Sequence, residues 1–385
     1  MKRHLFKKQH RFLAVCSPGF ERLLLAEVER LPGVGSAELI RGGVAFEGVL
    51  DVLYHANLEL RTAHRVLLRV AEFLAQSYPM LYDRAKRVPW ELYIGFEPSF
   101  SLSVSAKVSR LRHHRKIEKT VGDAVSSALM PLGLSPVIAR EAALPFQVRF
   151  FQDRCMLSFN TSGAHLHRRG YRTHVAEAPL RETLAAGVAI ASDVGAYDLI
   201  VDPFCGSGTL LIESALYRVG RPPGLEREFA FMYAPYFQGS KWDRFKREAS
   251  SKVRNSDPAR LIGFDLSAEA LRAAEHNGAA AGLLDRIVFD VADAREVRYQ
   301  DLREHARRPL LLSNLPYGDR LGSDSEARSL VTEFCHRFVR SGRGWDYALI
   351  TRHPSAMREV GLRPSATFPF RNGGLEVVLV CGTVP

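Results

Sequence analysis

The sequence lacks the features that mark several common protein classes. It has no Cys-x-x-Cys pair, and its five cysteines are scattered along the chain and odd in number (Cys16, Cys155, Cys205, Cys335 and Cys381). This pattern argues against a zinc framework and against a set of disulfides. No apolar run approaches the length of a transmembrane helix, and residues 1–11 are basic with no apolar core behind them. We therefore expect a cytoplasmic protein with no metal and no membrane partner.

Acidic residues are too few to balance the basic ones. The chain has 53 Lys and Arg against 42 Asp and Glu, which gives a formal net charge of +11. Such an excess favours a polyanionic partner, nucleic acid before membrane. The 13 histidines lack metal-ligand spacing, and their clusters lie beside arginines, so they indicate a basic surface. With 385 residues the chain is long enough for two or three domains with their own cores.

A glycine loop follows a short apolar strand in the middle of the chain. The strand residues 197–200 lead into Val201-Asp202-Pro203-Phe204-Cys205-Gly206-Ser207-Gly208-Thr209, and helix formers come next. Strand, glycine loop and helix are the opening unit of an open α/β fold, whose ligands bind at this loop. Gly206 and Gly208 permit a sharp turn and the close approach of a ligand. The loop has no Gly-Lys-Ser/Thr ending, so the pattern favours a nucleoside-like ligand other than a triphosphate.

The octet from Asp202 to Thr209 resembles the first motif of class I S-adenosylmethionine (SAM) methyltransferases that act on amino groups of nucleobases. Two acids follow in order, each at the end of a predicted strand: Asp265 and Asp293. The resemblance implies that Asp202 accepts from the methionine amino group, that Asp265 binds the ribose hydroxyls, and that Asp293 accepts from the adenine amino group. The implied SAM contacts are Thr183, Asp202, Pro203, Phe204, Cys205, Gly206, Ser207, Gly208, Thr209, Asp265, Leu266, Asp293, Ala294 and Asn314.

A second motif, Asn314-Leu315-Pro316-Tyr317, ends the apolar strand 310–313. It resembles the Asn/Asp-Pro-Pro-Tyr/Phe motif of methyltransferases that act on exocyclic amines. Such an amine is a poor nucleophile, because its lone pair is delocalised into the ring. Two acceptors that hold its hydrogens, Asn314 Oδ1 and the Leu315 carbonyl, would aim the lone pair at the sulfonium methyl. Pro316 would stiffen the turn, and Tyr317 would stack on a base that has left its helix or loop.

The motif also limits the choice of reaction. Leu315 stands where the commoner pattern has a first proline, which leaves the rRNA and the tRNA guanine-N2 methyltransferases both open as subfamilies. No cysteine nucleophile lies nearby, which disfavours methylation at cytosine C5. The predicted catalytic residues are Asn314, Leu315, Pro316 and Tyr317.

The N-terminal half alternates strand and helix signals. Residues 1–62 fit a small α+β ferredoxin-like domain. In residues 63–165, a strand at 99–105, a basic run opening a helix and a hairpin turning at Gln152-Asp153 resemble in their order the THUMP domain of RNA-modifying enzymes. We also predict a helix from Met80 to Tyr93. The basic run supplies predicted RNA contacts, with a merely solvated surface as the alternative: Lys107, Arg110, Arg112, Arg115 and Lys116.

A second basic segment precedes the glycine loop. Residues 163–172 and a helix starting near Pro179 resemble the segment before the catalytic domain in bacterial THUMP methyltransferases that modify guanine in 23S rRNA. The resemblance places the helix over the cofactor pocket, and the loop adds predicted RNA contacts at His167, Arg168, Arg169, Tyr171 and Arg172. A basic interdomain linker is the alternative. Residues 218–260 are long for a connection in such a fold, and they fit either a functional insertion or a surface excursion.

The predicted fold is α/β, with a Rossmann-like class I methyltransferase domain at 166–385 preceded by an α+β ferredoxin-like plus THUMP module. The predicted reaction is methyl transfer from SAM to an exocyclic base amine of RNA, first of all guanine N2 of 23S rRNA. Three alternatives stay open: a tRNA guanine-N2 methyltransferase, a DNA adenine-N6 methyltransferase, and an RNA-binding assembly factor without turnover. The sequence does not indicate an oligomeric state.

Overall fold

The computed structural model of the protein describes residues 8–95, 99–174, 180–283, 285–304, 306–317 and 324–385. The β-strands are β1 (His10–Val15), β2 (Val34–Ile40), β3 (Gly43–Gly48), β4 (Arg65–Leu74), β5 (Ser99–Lys107), β6 (Val137–Ile138), β7 (Leu144–Phe151), β8 (Arg154–Asn160), β9 (Leu199–Asp202), β10 (Arg260–Asp265), β11 (Ile287–Val291), β12 (Pro309–Asn314), β13 (Asp346–Thr351), β14 (Pro364–Asn372) and β15 (Leu375–Thr383). The α-helices are α1 (Glu21–Glu29), α2 (Val52–Glu59), α3 (Tyr78–Lys86), α4 (His114–Leu129), α5 (Glu182–Ala191), α6 (Thr209–Arg218), α7 (Gly239–Ser250), α8 (Ala268–Ala280), α9 (Tyr299–Arg303), α10 (Asp324–Ser341) and α11 (Pro354–Glu359).

The chain divides into two compact units, and each unit takes segments from both halves of the sequence. Unit 1 consists of Met1–Cys16, Leu24–Leu166 and Gly224–Glu248; unit 2 consists of Ser17–Leu23, His167–Pro223 and Ala249–Pro385. A short N-terminal segment therefore belongs to the unit of the glycine loop. Within unit 1 a single sheet contains strands from both sides of residue 62. The division of the chain into two domains at residue 62 therefore stays a prediction.

Unit 1 is built on an eight-stranded sheet with the order β2-β3-β1-β4-β8-β7-β5-β6. Its strands alternate between a buried and an open face, as β7 shows: Phe146, Val148 and Phe150 are buried, whereas Arg149 and Phe151 are exposed. The hairpin between β7 and β8 turns at Gln152 and Asp153, which both have positive φ. The sequence predicted this turn correctly.

The predicted helix from Met80 to Tyr93 is shorter in the structure. Helix α3 begins after Ser77, whose side chain accepts a hydrogen bond from the Met80 N–H, and it ends at Lys86. Residues Trp90–Leu92 form a separate 3₁₀ turn. Pro89 explains the break, because proline cannot donate within a helix and disfavours a helical conformation at the residue before it.

The long connection after α6 is fastened to unit 1. Within Gly224–Glu248, the Gly224 N–H donates to the Leu58 carbonyl over 3.0 Å. The ammonium of Lys241 lies 2.6 Å from Asp51 Oδ1. The Tyr54 ring on α2 packs against Phe231, with ring centroids 5.2 Å apart. This part of the 218–260 stretch is therefore a packed element of unit 1.

Unit 2 is built on a seven-stranded sheet with the order β11-β10-β9-β12-β13-β15-β14. The pairs from β11 to β13 are parallel, and β15 runs antiparallel between β13 and β14. The turn between β14 and β15 consists of Gly373 and Gly374, and Asn372 is the last paired residue of β14. The chain order reverses between β9 and β12, which is where open α/β sheets bind ligands.

Candidate active site

The glycine loop lies at the carboxyl end of β9 and is anchored on β10. The Cys205 N–H donates to the Phe264 carbonyl, and the Gly206 N–H donates to Asp265 Oδ2, each over 2.9 Å. Gly208 has φ +75°, and a Cβ there would lie 3.0 Å from the Phe289 ring. A Cβ at Gly206 would meet no atom within 4 Å. One side of the loop is therefore open for a ligand.

Asp202 is buried at the end of β9. Its Oδ1 accepts hydrogen bonds from the Ser313 hydroxyl over 2.6 Å and from the Phe204 N–H over 3.1 Å. Burial raises the pKa of Asp202 to about 7, against the lowering effect of these two hydrogen bonds. The acid is thus poised between its neutral and charged forms, and a cationic group placed beside it would ionise it.

Asp265 is the last residue of β10, at a strand end as predicted, and Leu266 follows it. The two oxygens of Asp265 accept from the backbone N–H groups of Ser267 and Gly206, both over 2.9 Å. Each oxygen still has a lone pair for a ribose hydroxyl. Leu266 is 67% exposed, so an apolar side chain stands uncovered beside the acid. This pair suits a nucleoside whose ring system would cover Leu266.

Asp293 follows β11, but its carboxylate already has a cationic partner. Arg295 Nη2 lies 2.6 Å from Asp293 Oδ2, and Nη1 of the same guanidinium lies 3.0 Å from Glu333. Hydrogen bonds from Arg295 lower the pKa of Asp293 below its usual value. An adenine amino group at this acid would have to share it with Arg295. Nothing in the local sequence pattern marked Arg295 as a site residue.

The remaining predicted cofactor contacts within the loop and beside it are buried or half-buried. The Phe204 ring packs edge-on against Phe334, with centroids 5.1 Å apart. A Cβ at Gly263 would lie 3.0 Å from the Cys205 sulfur, so this sulfur packs closely against the Gly263 backbone. The others are Pro203, Ser207, Thr209, Ala294 and, in the first turn of α5, Thr183.

The predicted catalytic motif lies at the carboxyl end of β12, beside β9 and β13. The Leu315 N–H donates to the Ile350 carbonyl over 3.1 Å, which fixes the turn. Oδ1 of Asn314 is buried and has no hydrogen-bond partner among the described residues. Pro316 follows, half-buried, whereas Gly318 lies outside the described residues. The structure therefore presents one buried oxygen that can still accept a hydrogen bond.

Tyr317 differs from the expected open stacking residue. It is only 6% exposed, and its hydroxyl accepts a hydrogen bond from Asn372 Nδ2 over 2.8 Å. Asn372 ends β14 at the tight Gly373-Gly374 turn, so the amide has a rigid position. Sequence reasoning missed Asn372, because the contact joins residues that are 55 positions apart.

Three of the predicted RNA contacts before the glycine loop form an interior network instead. The Arg169 guanidinium lies 3.2 Å from the Glu213 carboxylate, which also accepts from the Tyr171 hydroxyl over 2.8 Å. Arg172 donates to the Thr209 hydroxyl over 2.7 Å. Arg169 and Tyr171 are buried, so an acid within α6 holds the side chains that we expected at the surface. Pro179, at the predicted start of the following helix, lies outside the described residues.

Asn277 on α8 also holds the basic segment that precedes the glycine loop. No sequence motif indicated this role of Asn277. Its Oδ1 accepts from the N–H groups of Thr173 and His174, over 3.1 and 3.2 Å. Its Nδ2 donates to the carbonyls of His174 and Ser207, over 3.1 and 3.3 Å. One buried amide therefore joins the segment to the glycine loop. Of the predicted contacts here, Arg168 remains exposed and His167 half-buried.

The other basic run belongs to unit 1 and is exposed, as expected. Asp153 holds its loop: Oδ1 accepts from the Arg110 N–H over 2.6 Å. Arg112 Nε donates to the Ser109 carbonyl over 2.8 Å. The exposed side chains are Lys107, Arg110, Arg112, Arg115 and Lys116. Their role in RNA binding stays a prediction.

The order of the strands, the glycine loop and the acids after β10 and β11 define unit 2 as a class I methyltransferase fold. Residues 169–380 match the family model described as RMKL-like, methyltransferase domain, and residues 11–67 match the RlmL ferredoxin-like domain. The chain belongs to the RMKL-like methyltransferase-domain family. The predicted fold and the predicted cofactor of the domain, SAM, are thereby confirmed.

Named relatives support the same grouping. The chain is 34% identical to the ribosomal RNA large subunit methyltransferase K/L of Psychromonas ingrahamii, covering 94% of this chain and 48% of the relative. For the same enzyme of Syntrophotalea carbinolica the identity is 34%, covering 96% and 53%. The chain thus spans about half the length of these curated relatives. A solved structure from Listeria monocytogenes, described as a predicted N6-adenine-specific DNA methylase, is 26% identical with a TM-score of 0.87, covering 100% of this chain and 99% of that one.

Neither a metal-binding cluster nor a membrane-spanning helix occurs within the described residues. No group of three or more His, Cys, Asp or Glu side chains there has the arrangement to hold a metal ion. No helix in that part of the chain is both long and apolar enough to cross a membrane.

Proposed function

We propose that the chain transfers the methyl group of SAM to N2 of a guanine in 23S rRNA. The observation that carries the proposal is Asn314 Oδ1, a buried acceptor without a partner among the described residues, at the end of β12. On the neighbouring strand β9, Asp202 suits the amino group of a bound cofactor. A base amine that is to be methylated needs such an acceptor beside the cofactor. The acceptor holds the hydrogens of the amine while the lone pair of the amine points towards the sulfonium methyl.

Bound SAM supplies an electrophilic methyl group on a sulfonium. The residues of this chain supply positions and charges. Asp202 would hold the amino group of the cofactor, and Asp265 would hold its ribose hydroxyls. The open side of Gly206 would let the cofactor lie close to the backbone of the loop. Asn314 Oδ1 and the Leu315 carbonyl accept from the two hydrogens of the guanine amine. The methylated amine loses its extra proton to solvent, so a strong general base is not required.

The choice of RNA rests on charge and on the relatives. The excess of basic residues and the exposed run from Lys107 to Lys116 suit a polyanion. The relatives of Psychromonas and Syntrophotalea are named for the large-subunit ribosomal RNA. Together these observations favour rRNA over tRNA and DNA.

The test is methyl transfer from isotope-labelled SAM to 23S rRNA, tRNA and duplex DNA, followed by mass analysis of the nucleosides. We expect label in N2-methylguanosine of 23S rRNA, and none with the Asn314→Ala variant. Label in tRNA alone, or in adenine of DNA, would overturn the proposed substrate. Binding of rRNA and SAM without transfer to any nucleic acid would instead support an assembly factor.

A further inference from the structure

The open face of the unit 1 sheet carries a row of four side chains across four neighbouring strands. Strand pairing sets Leu74 opposite Arg154 and Arg154 opposite Phe151. In the next pair, Phe151 is opposite Lys107. Paired residues on adjacent strands point to the same face of a sheet. Leu74, Arg154, Phe151 and Lys107 therefore form one continuous row, here called the Phe151 row.

The Phe151 row is exposed, although its centre is aromatic. Phe151 is 42% exposed and Leu74 is 44% exposed. Phe150 and Cys155, the chain neighbours of Phe151 and Arg154, fill the opposite, buried face, so the core of the unit does not need Phe151. Just beyond Lys107, the side chain of Val108 is 71% exposed. The row therefore alternates apolar and basic side chains on one open face of the sheet.

Basic side chains surround the exposed ring. Lys107 and Arg154 lie in the row itself, and Arg149, also exposed, lies two pairs further in on the same face, opposite Met156. Arg154 is 59% exposed and forms a surface ion pair with Glu72 over 3.2 Å. Such an exposed pair is weak and exchanges readily for a phosphate. The local charge therefore favours an anionic partner.

The row stands on a rigid support. Phe151 immediately precedes the turn formed by Gln152 and Asp153, with φ of +49° and +59°. Asp153 holds the neighbouring loop through the Arg110 N–H, and its own N–H donates to Ser109 Oγ over 3.0 Å. The backbone beside the ring is thus fixed, which lowers the entropic cost of binding.

We propose that this face is a stacking platform for an unpaired segment of RNA. Phe151 stacks on one base, and Lys107, Arg149 and Arg154 bind the phosphates on either side. An exposed aromatic ring among cations on an open sheet favours a single strand, since only unpaired bases offer their faces. The inference rests on the proposed function for its choice of RNA, and it adds a second requirement: the substrate has an unpaired segment outside the reacting guanine.

Binding of a fluorescein-labelled single-stranded oligouridine and of a duplex RNA of equal length tests the proposal. Phe151→Ala should weaken single-strand binding roughly 5- to 150-fold, the range for loss of one base stack. Phe151→Trp should keep the affinity, and its fluorescence should fall when RNA binds. Arg149→Ala with Arg154→Ala should lower the slope of log affinity against log salt by about 0.7 for each lost phosphate contact. Matched controls on the same unit are Leu39→Ala, also an exposed strand residue, and Arg30→Ala.

The outcomes separate this proposal from the proposed function. In methyl transfer to rRNA, Phe151→Ala should raise KM for RNA while kcat at saturation and SAM affinity stay unchanged. Normal RNA affinity in Phe151→Ala, with wild-type transfer intact, would overturn the platform alone. Absence of transfer by the wild type, together with Phe151-dependent binding of single strands, would overturn the proposed function and leave the platform standing. If Phe151→Ala weakened the binding of duplex RNA and of single-stranded RNA equally, this result would also contradict stacking.

Discussion

Ser313 donates its hydroxyl to Oδ1 of Asp202 over 2.6 Å, and this bond joins the carboxyl ends of β12 and β9. The two strands flank the point where the chain order of the sheet reverses. Ser313 immediately precedes Asn314, so the same strand end supports both the predicted cofactor acid and the predicted amine acceptor. The two predicted sites are therefore linked through one buried hydrogen bond.

Cofactor binding should depend on the ionisation of Asp202. Burial raises its pKa to about 7, and the amino group of SAM requires the charged form. We expect SAM affinity to rise as the pH increases from 6 to 8, with release of a proton that appears as a buffer-dependent enthalpy in calorimetry. Asp202→Asn should bind SAM roughly 10-fold or more weakly at pH 8, since hydrogen bonds to charged groups contribute about 1.5–3 kcal/mol. A pH-independent affinity in the wild type would contradict this role.

The same pKa shift predicts the stability of the protein without cofactor. Because the folded-state pKa is raised, the stability contributed by neutral Asp202 is fully present below its usual pKa and is lost as the pH rises through about 7. The comparison with Asp202→Asn isolates this contribution from other titrating groups. We expect the variant to gain stability relative to wild type between pH 5 and pH 8, measured as the shift in urea midpoint. A constant difference across this range would refute the shifted pKa.

Removal of the Asn314 acceptor should stop turnover while leaving binding intact. Asn314→Ala should lower kcat roughly 100-fold or more, the scale seen when one positioned group is lost from a reacting centre. Affinities for SAM and RNA should change little, because Oδ1 acts on the amine hydrogens. Asn314→Asp is the matched control, since it keeps an oxygen at the same place and should retain more activity than alanine. Equal activities of the alanine variant and the wild type would refute the assigned role.

Asn372 should act through the position of Tyr317. Loss of one neutral hydrogen bond costs about 0.5–1.5 kcal/mol, so Asn372→Ala and Tyr317→Phe should each lower kcat/KM for RNA by roughly 2- to 10-fold. The double variant should be no worse than the poorer single one, because both changes remove the same contact. Arg371→Ala, in the same hairpin but in an exposed ion pair with Glu376, serves as the control. Additive losses in the double variant would show that the two residues act separately.

The sequence predicted those parts of the site that are encoded locally. The glycine loop, Asp265 and Asn314 each follow a short apolar strand, and parallel strands bring such ends to one edge of a sheet. Position 208 also favours glycine, because its φ is +75° and a Cβ there would lie 3.0 Å from the Phe289 ring. The end of helix α3 was predicted wrongly, because the helical pattern was continued past Pro89 to Tyr93.

Long-range contacts account for what the sequence did not show. Arg169 belongs to a basic run in the sequence. Only the folded chain shows that the Arg169 side chain points inward, where it pairs with Glu213 of α6. Asn277 carries no motif, because its partners at Thr173, His174 and Ser207 are brought to it by the packing of α8. Arg295 carries none either, although one of its partners, Asp293, is only two residues away. Phe151 is one apolar residue in an apolar strand, and its exposure follows from the side of the sheet on which its position falls.

The buried pair of Arg169 and Glu213 supplies a final prediction, on stability. The two side chains are 2% and 0% exposed, so Glu213→Ala leaves a buried cation without its partner. We expect a loss of about 3–5 kcal/mol in the free energy of unfolding, measured by urea denaturation. Replacement of both residues, Arg169→Met with Glu213→Leu, should recover part of that loss, because neither charge then remains buried, although the Tyr171 hydroxyl loses its acceptor. Lys119→Ala, which removes an exposed ion pair with Asp123, should cost less than about 1 kcal/mol. If Glu213→Ala were as mild as this surface change, the pair would not hold the segment before the glycine loop in place.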